Sequence, residues 1–317
     1  MPPAIRIERL TKDFAVGFWR RRPRRALDGL TLDVAAGEVF GFLGPNGAGK
    51  TTTLKLLLQL LFPTAGRMEI LGRPAGDLEI RRRIGFLPEE PYFYDYLTAE
   101  ELLTYFAGLF GLSGAARRAR VAARLDEAGI GAERRLALRK LSKGTIQRVG
   151  IAQALINDPE VVFLDEPMSG LDPVGRHDVR ALMLRLRDRG CTVFFSSHIL
   201  PDAEALCGRV GILANGRLLA EGRIADLVAA NVRGWELIAA NISSGALAPF
   251  APRAASVTSL DEARHTLVLP ASPAPEPLIA DLIAAGARIV SLTPVHQTLE
   301  DYFVARVAHA GAAGERS

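Results

Sequence analysis

Gly44-Pro45-Asn46-Gly47-Ala48-Gly49-Lys50-Thr51-Thr52 is the stretch of this chain that constrains everything else. It fits the pattern G-x-x-x-x-G-K-[ST] through Gly44, Gly49, Lys50 and Thr51, a phosphate-binding loop. Glycines let the backbone wrap close to a polyphosphate, so that N–H groups point at its oxygens. Lys50 then reaches the β- and γ-phosphates, and the Thr51 hydroxyl sits on Mg²⁺. The flanking sequence supplies the required context. Residues 39–43 read as a short apolar strand feeding the loop, and Leu54, Leu57, Leu58 and Leu61 then recur at helical spacing until Pro63 ends the pattern.

A second stretch, Val161-Val162-Phe163-Leu164-Asp165-Glu166, is an apolar strand ending in a pair of carboxylates. That is the place for a metal-side Asp and a water-activating Glu. Asp165 at the end of such a strand is costly to bury without a cation. The two stretches together predict binding and hydrolysis of ATP or GTP.

Length and composition narrow the class. The chain has 317 residues, 49% hydrophobic and 23% charged, which suits one large globular domain plus a smaller one. No apolar run reaches the roughly 18 residues of a membrane span. The N-terminus lacks the apolar segment of a signal peptide, so a cytoplasmic chain is expected unless a partner holds it at a membrane. Cys191 and Cys207 have no metal-ligand spacing and read as reduced thiols. The net charge of +4 owes much to Arg20, Arg21, Arg22, Arg24 and Arg25 around Pro23. Such a cluster reads first as a solvated loop, second as a contact for anionic lipid headgroups, and only third as a nucleic-acid site; no nucleic-acid module accompanies it, and no nucleic-acid partner is expected.

Along the chain, residues 4–40 read as short strands and turns with the arginine loop between Phe14 and Ala26. Residues 100–141 are helical in pattern. Strands return at 161–164 and 192–196, with a helix between them that sets Val179, Leu182, Met183 and Leu186 on one face and Gly190 at its C-cap. Apolar strands alternating with helices predict an α/β fold with a mainly parallel, covered sheet. Past residue 223 the character changes. Strands at 235–239, 266–269 and 288–292, a helix near 277–285 and a last helix from Thr298 read as a small α+β accessory domain, with loops at 245–256 and 270–276 and a frayed end at 311–317.

What specifies the kind of nucleotide enzyme is the order of further motifs. Leu141-Ser142-Lys143-Gly144 precedes Gln147 and Arg148; Asp165-Glu166-Pro167, Ser169-Gly170-Leu171-Asp172-Pro173 and Ser197-His198 follow. This set resembles the ATP-binding cassette (ABC) ATPases over residues 4–222, with a helical subdomain at about 90–150 and an accessory domain at 224–310. The resemblance implies a P-loop NTPase core, a mixed sheet flanked by helices with a β subdomain and a helical subdomain, and the cofactors ATP and Mg²⁺. It implies that Lys50, Thr51 and Thr52 contact phosphate and Mg²⁺, that Asp165 holds Mg²⁺ through water, that Glu166 is the general base, and that His198 contacts the γ-phosphate. Gly44, Pro45, Asn46, Gly47, Ala48 and Gly49 would cradle the phosphates. Asp172 lies in the loop that crosses to a partner subunit, although a helix N-cap is an alternative use of it. Ser142 and Gly144 would close on ATP held by a second cassette, so the resemblance implies a dimer, either of this chain with itself or with a paralogue.

The chain departs from the family pattern at three points. Lys143 and Thr145 replace a glycine and a glutamine of the signature. Glu89 in Ile84-Gly85-Phe86-Leu87-Pro88-Glu89 replaces a glutamine and is expected to face Mg²⁺ or the attacking water. Phe14 stands for the tyrosine that stacks on adenine, with Phe18 and Trp19 as alternatives and core packing as the competing use. Just beyond Glu89, Tyr92, Phe93, Tyr94 and Tyr96 crowd into a segment where one or two rings are expected to pack inward. The others suit a protein interface, which the resemblance identifies as the socket for a membrane permease subunit. The signature variant, the Leu-Pro-Glu loop and the appended domain look most like the ATPases of ABC-2 type exporters, held at the inner face of the membrane by that subunit. A soluble ABC ATPase that does not transport, or a regulatory nucleotide-binding module, is the rival reading.

Overall fold

The computed structural model describes residues 2–17, 22–228, 232–296 and 298–303. The chain divides into two compact units, Met1–Arg223 and Ile224–Ser317.

Three apolar segments dictate the centre of the first unit. Val39–Leu43, Val161–Asp165 and Thr192–Ser197 are buried at every position, which only a sheet covered on both faces allows. Val39–Leu43 lies between Arg209–Ala214 and Thr192–Ser197, and Val161–Asp165 between Thr192–Ser197 and Ile84–Leu87, all parallel. Arg217–Arg223 closes one edge antiparallel, so the six-stranded sheet is mixed. Register sets Asp165 opposite Ser196 and Leu43 opposite Ser197. The strand ends that carry the motifs are therefore neighbours, at the carboxyl edge where open α/β sheets bind ligands.

A four-stranded antiparallel sheet, in the order Arg22–Val34, Ile5–Val16, Ala65–Ile70, Arg73–Pro74, packs on the same core through Ile5, Ile7, Leu30 and Leu32. The arginine segment expected as a loop is strand instead: Phe14 pairs with Arg24 and Val16 with Arg22. Arg25 bridges Asp13 at 2.9 Å and Asp28 at 3.0 Å, which relieves the crowding of like charge and lets the hairpin run on. Phe18, Trp19, Arg20 and Arg21 lie outside the described residues.

The helix after the phosphate loop, Lys50–Leu57, also stops short of the Pro63 that the periodicity predicts. Gln59 turns left-handed (φ 55°), Lys12 holds the Phe62 carbonyl at 2.7 Å, and Thr64 N–H donates to Thr11 O at 2.9 Å. Anchoring of this segment to the first strand overrides the leucine period, leaving Leu60 59% exposed.

The helical region comprises Ala99–Leu109, started by a capping box between Thr98 and Glu101, then Gly114–Glu127 and Lys143–Ala154. Leu102, Leu103, Val121, Leu125, Val149 and Ile156 form its own core. In Pro173–Asp188 the expected face, Val179, Leu182, Met183 and Leu186, is buried, and Gly190 takes a left-handed φ of 83° just past the end. Cys191 and Cys207 are free and buried; burial pushes the Cys191 thiol up to about 11.

In the second unit, Ser256–Ser259, Arg264–Pro270, Val232–Ala240 and Arg288–His296 make an antiparallel sheet in that order. Glu276–Ala284 covers one face through Leu278 and Leu282. The short helix Ser244–Leu247 falls largely in the stretch 245–256 expected to be loop, and the strand Ser256–Ser259 follows where no element was expected. Helix begins again after Thr298, whose hydroxyl accepts from Asp301 N–H, while residues 304–317 lie outside the described residues. Among the described residues, no helix is long and apolar enough to cross a membrane.

Candidate active site

Backbone geometry forces glycine into the loop that follows Val39–Leu43. A Cβ on Gly44 would lie 2.2 Å from the Leu213 carbonyl oxygen. Gly49 has φ 112°, and a Cβ there would lie 2.9 Å from the Ala26 carbonyl. Only a residue without a side chain fits either position. The loop delivers Lys50 to the start of its helix, where Nζ donates to Gly44 O at 2.7 Å and Pro45 O at 3.3 Å.

The carboxylates at the end of Val161–Asp165 meet this lysine. Glu166 Oε1 is 3.3 Å from Lys50 Nζ, with both side chains buried. Its other oxygen, Oε2, is 2.9 Å from His198 Nδ1. A carboxylate oxygen only accepts, so Nδ1 is a protonated nitrogen of this half-exposed ring. Glu166 itself holds a left-handed φ of 48°, an uncommon conformation for a residue with a side chain and one that clusters at functional sites.

Asp165 is 1% exposed. Its Oδ1 accepts from Ser196 Oγ at 2.6 Å and from Thr51 Oγ1 at 3.3 Å. Burial nonetheless pushes its carboxyl above the usual carboxylate range, with the two hydroxyls opposing. A buried carboxylate and a hydroxyl converging beside a phosphate loop are hard oxygen donors of the kind Mg²⁺ takes together with substrate phosphates. Among the described residues no cluster of three or more His, Cys, Asp and Glu side chains forms a metal cage.

Around these groups opens a cleft of about 840 Å³ lined by Phe14, Arg24, Asn46, Thr52, Glu89 and Asn215, together with Lys50, Thr51 and Glu166. Phe14 presents its ring at the cleft and carries Lys12 Nζ 5.1 Å from the ring centroid. Glu89 is exposed on the cleft wall.

Other expected site residues are placed elsewhere. Ser142 caps helix Lys143–Ala154, its Oγ accepting from Thr145 N–H at 3.1 Å. Asp172 caps Pro173–Asp188, accepting from Gly175 N–H at 2.7 Å. Neither residue, nor Gly144, lines the cleft. Tyr92, Tyr94 and Tyr96 are 97%, 64% and 63% exposed, whereas Phe93 packs against the helical core.

Two residues with a hand in this geometry have no role that their motifs announce. Ser196 donates to Asp165 and accepts from Glu166 N–H at 3.0 Å, fixing the Asp165 carboxylate and the Glu166 backbone. Its only sequence signal is its place at the end of a buried strand. Gln147, seen only as part of the signature pattern, is 3% exposed and donates to Pro167 O at 3.2 Å.

Comparison with known proteins gives a consistent picture. The family profile described as ABC transporter matches residues 27–169. An uncharacterized ABC transporter ATP-binding protein of Synechocystis sp. is 42% identical over 304 residues, 95% of this chain and 84% of that protein. The bacitracin transport ATP-binding protein of Bacillus licheniformis is 43% identical over 201 residues, 62% of this chain and 65% of its own length. Among solved structures, a dimeric ATP-binding cassette in a post-hydrolysis state with ADP and Pi covers 69% of this chain and 98% of its own, with 28% identity and a TM-score of 0.64.

Proposed function

Because this chain belongs to the ABC transporter ATP-binding proteins, and is thus an ATPase and the nucleotide-binding subunit of a transporter, we propose residue by residue how its site works. The observation that carries the proposal is the chain of contacts Lys50–Glu166–His198 beside the buried Asp165.

ATP enters the cleft with its base against the free face of Phe14 and its phosphates against the N–H groups of residues 44–52. Lys50 turns from the loop carbonyls and Glu166 to the β- and γ-phosphates, where its charge stabilises the negative charge that develops on transfer. Glu166 is the general base: its carboxylate sits one hydrogen bond from both Lys50 and His198, so it can orient a water and accept its proton. With Nδ1–H held by Glu166, His198 donates to a γ-phosphate oxygen from Nε2 when that nitrogen carries a proton as well. Asp165 and Thr51 are the groups that would hold Mg²⁺, with Glu89 also on the cleft wall; the ion would supply charge neutralisation at the phosphates.

Ser142 and Gly144 lie off the cleft of their own chain, which supports their use against ATP bound to a second copy, with Asp172 beside them. The exposed Tyr92, Tyr94 and Tyr96 would receive the membrane permease subunit, which holds the chain at the inner face of the membrane. The likeness to the bacitracin transport protein supports a role in transport, and the signature variant, the Leu-Pro-Glu loop and the appended domain favour the exporter group. The test compares wild type with Glu166→Gln under ATP and Mg²⁺, following phosphate release and molecular mass together. Loss of turnover with accumulation of an ATP-bound dimer is expected; turnover retained by Glu166→Gln refutes the assignment of the base.

A further inference from the structure

The helix Lys143–Ala154 and the loop that follows Glu166 touch at three places within one chain. Gln147 Nε2 donates to the Pro167 carbonyl at 3.2 Å, with the side chain 3% exposed. The Lys143 side chain lies across Gly170 so closely that a Cβ there would be 2.9 Å from Nζ. A Cβ on Gly144 would lie 3.4 Å from Leu171 Cδ2. Of these contacts only the first is a buried, directional hydrogen bond, and it falls on the peptide immediately after the base.

Glu166 needs such support. Its φ of 48° is held by Ser196 Oγ on its own N–H at 3.0 Å and by Ser169 N–H on its carbonyl at 3.0 Å. Neither contact restrains the following carbonyl, and Pro167 brings no N–H of its own. The Gln147 amide takes that place. A buried glutamine whose carbonyl partner were lost would leave polar groups without partners, so the pair is held together from both sides.

We propose that Gln147 is a positioning residue for Glu166, tying the loop that carries the base to the helix whose first turn carries Ser142 and Gly144. It thereby links the surface that meets one nucleotide to the base that acts on the other. This rests on the reading of Glu166 as base and of Ser142 and Gly144 as contacts to the second copy.

Gln147→Met keeps the length and volume of the side chain and removes the donor. The expected result in the purified full chain is a fall in kcat of about 10- to 100-fold, as small misplacements of reacting groups produce. KM for ATP should stay within about twofold, since ATP binding is not what the contact serves. In the Glu166→Gln background, Gln147→Met should still form the ATP-bound dimer. Gln147→Asn retains an amide one methylene too short to reach Pro167 and should show the same split; it decides the matter if the methionine variant does not fold. An unchanged kcat in either variant, or a kcat loss accompanied by an equal rise in KM and loss of the dimer, overturns the proposal. Turnover surviving in Glu166→Gln alone is a different failure: it removes the base assignment, and the positioning role with it, whatever the Gln147 variants do.

Discussion

Burial at the end of Val161–Asp165 raises the Asp165 carboxyl above its ordinary value, so the fold disfavours the charged form that the proposed cation would need. A raised folded-state value means stability that is full at low pH and is lost as pH rises through the folded value. At neutral pH the metal-free protein therefore carries a standing penalty at this residue. Asp165→Asn should raise the melting temperature in the presence of a chelator at neutral pH, and the gain should shrink as pH approaches about 4, where an unfolded aspartate is itself protonated. The same variant should lose turnover. Equal melting curves across pH would show that Asp165 is not strained by its burial. Ser196 is the counterpart of this strain, joining Asp165 Oδ1 at 2.6 Å to the Glu166 N–H at 3.0 Å. Ser196→Ala should destabilise by about 1–3 kcal/mol, the cost of orphaning buried polar groups. Turnover should fall by about 10-fold or more through misplaced carboxylates, while ATP affinity measured by calorimetry stays close to wild type.

Among the elements, Asp172 is a cap for which a second use at the dimer surface is proposed. Its Oδ1 caps Pro173–Asp188 through the Gly175 N–H at 2.7 Å. Asp172→Ala should cost about 1 kcal/mol by loss of the cap. Asparagine caps as well as aspartate does, so Asp172→Asn should melt like wild type and isolate the carboxylate. Reduced turnover in Asp172→Asn at wild-type stability supports a role at the dimer surface; wild-type turnover leaves the cap as its whole role. Elements also mark where sequence was legible. Val39–Leu43 and Val161–Asp165 could be read because continuous burial demands continuous apolar residues, and the glycines of the loop because Gly44 and Gly49 admit no Cβ. The end of Lys50–Leu57 could not, because contacts 50 residues apart between Lys12 and Phe62 override a local leucine period. The arginine hairpin failed for a similar reason: the acids that neutralise Arg25 come from both of its strands. Exposed Ser256–Ser259 has no apolar alternation to announce it. Ser196 stayed hidden because its importance comes from the register that sets it opposite Asp165, which no spacing along the chain encodes.

At the scale of the whole molecule, hydrolysis matters only if movement passes to another chain, and the aromatic segment is the surface proposed to carry it. Phe93 and Leu97 sink into the helical core and hold the segment in place, while Tyr92, Tyr94 and Tyr96 face solvent, the last two with ring centroids 5.8 Å apart. Anchored backbone with outward rings presents large contact area at little entropic cost, the property of interface hot spots. None of the three tyrosines lines the nucleotide cleft. The triple variant Tyr92→Ala, Tyr94→Ala, Tyr96→Ala should therefore keep its melting temperature and its ATP turnover as a purified protein. Against a membrane partner it should fail, since hot-spot rings contribute about 2 kcal/mol or more each. Flotation of the chain with membranes from cells that make its transporter reads this directly: wild type should co-fractionate and the triple variant should remain in the soluble fraction. Co-fractionation of both would place the permease contact on another face. Loss of turnover in the isolated variant would show that the rings support the catalytic fold, and that engine and coupling surface are not physically separate.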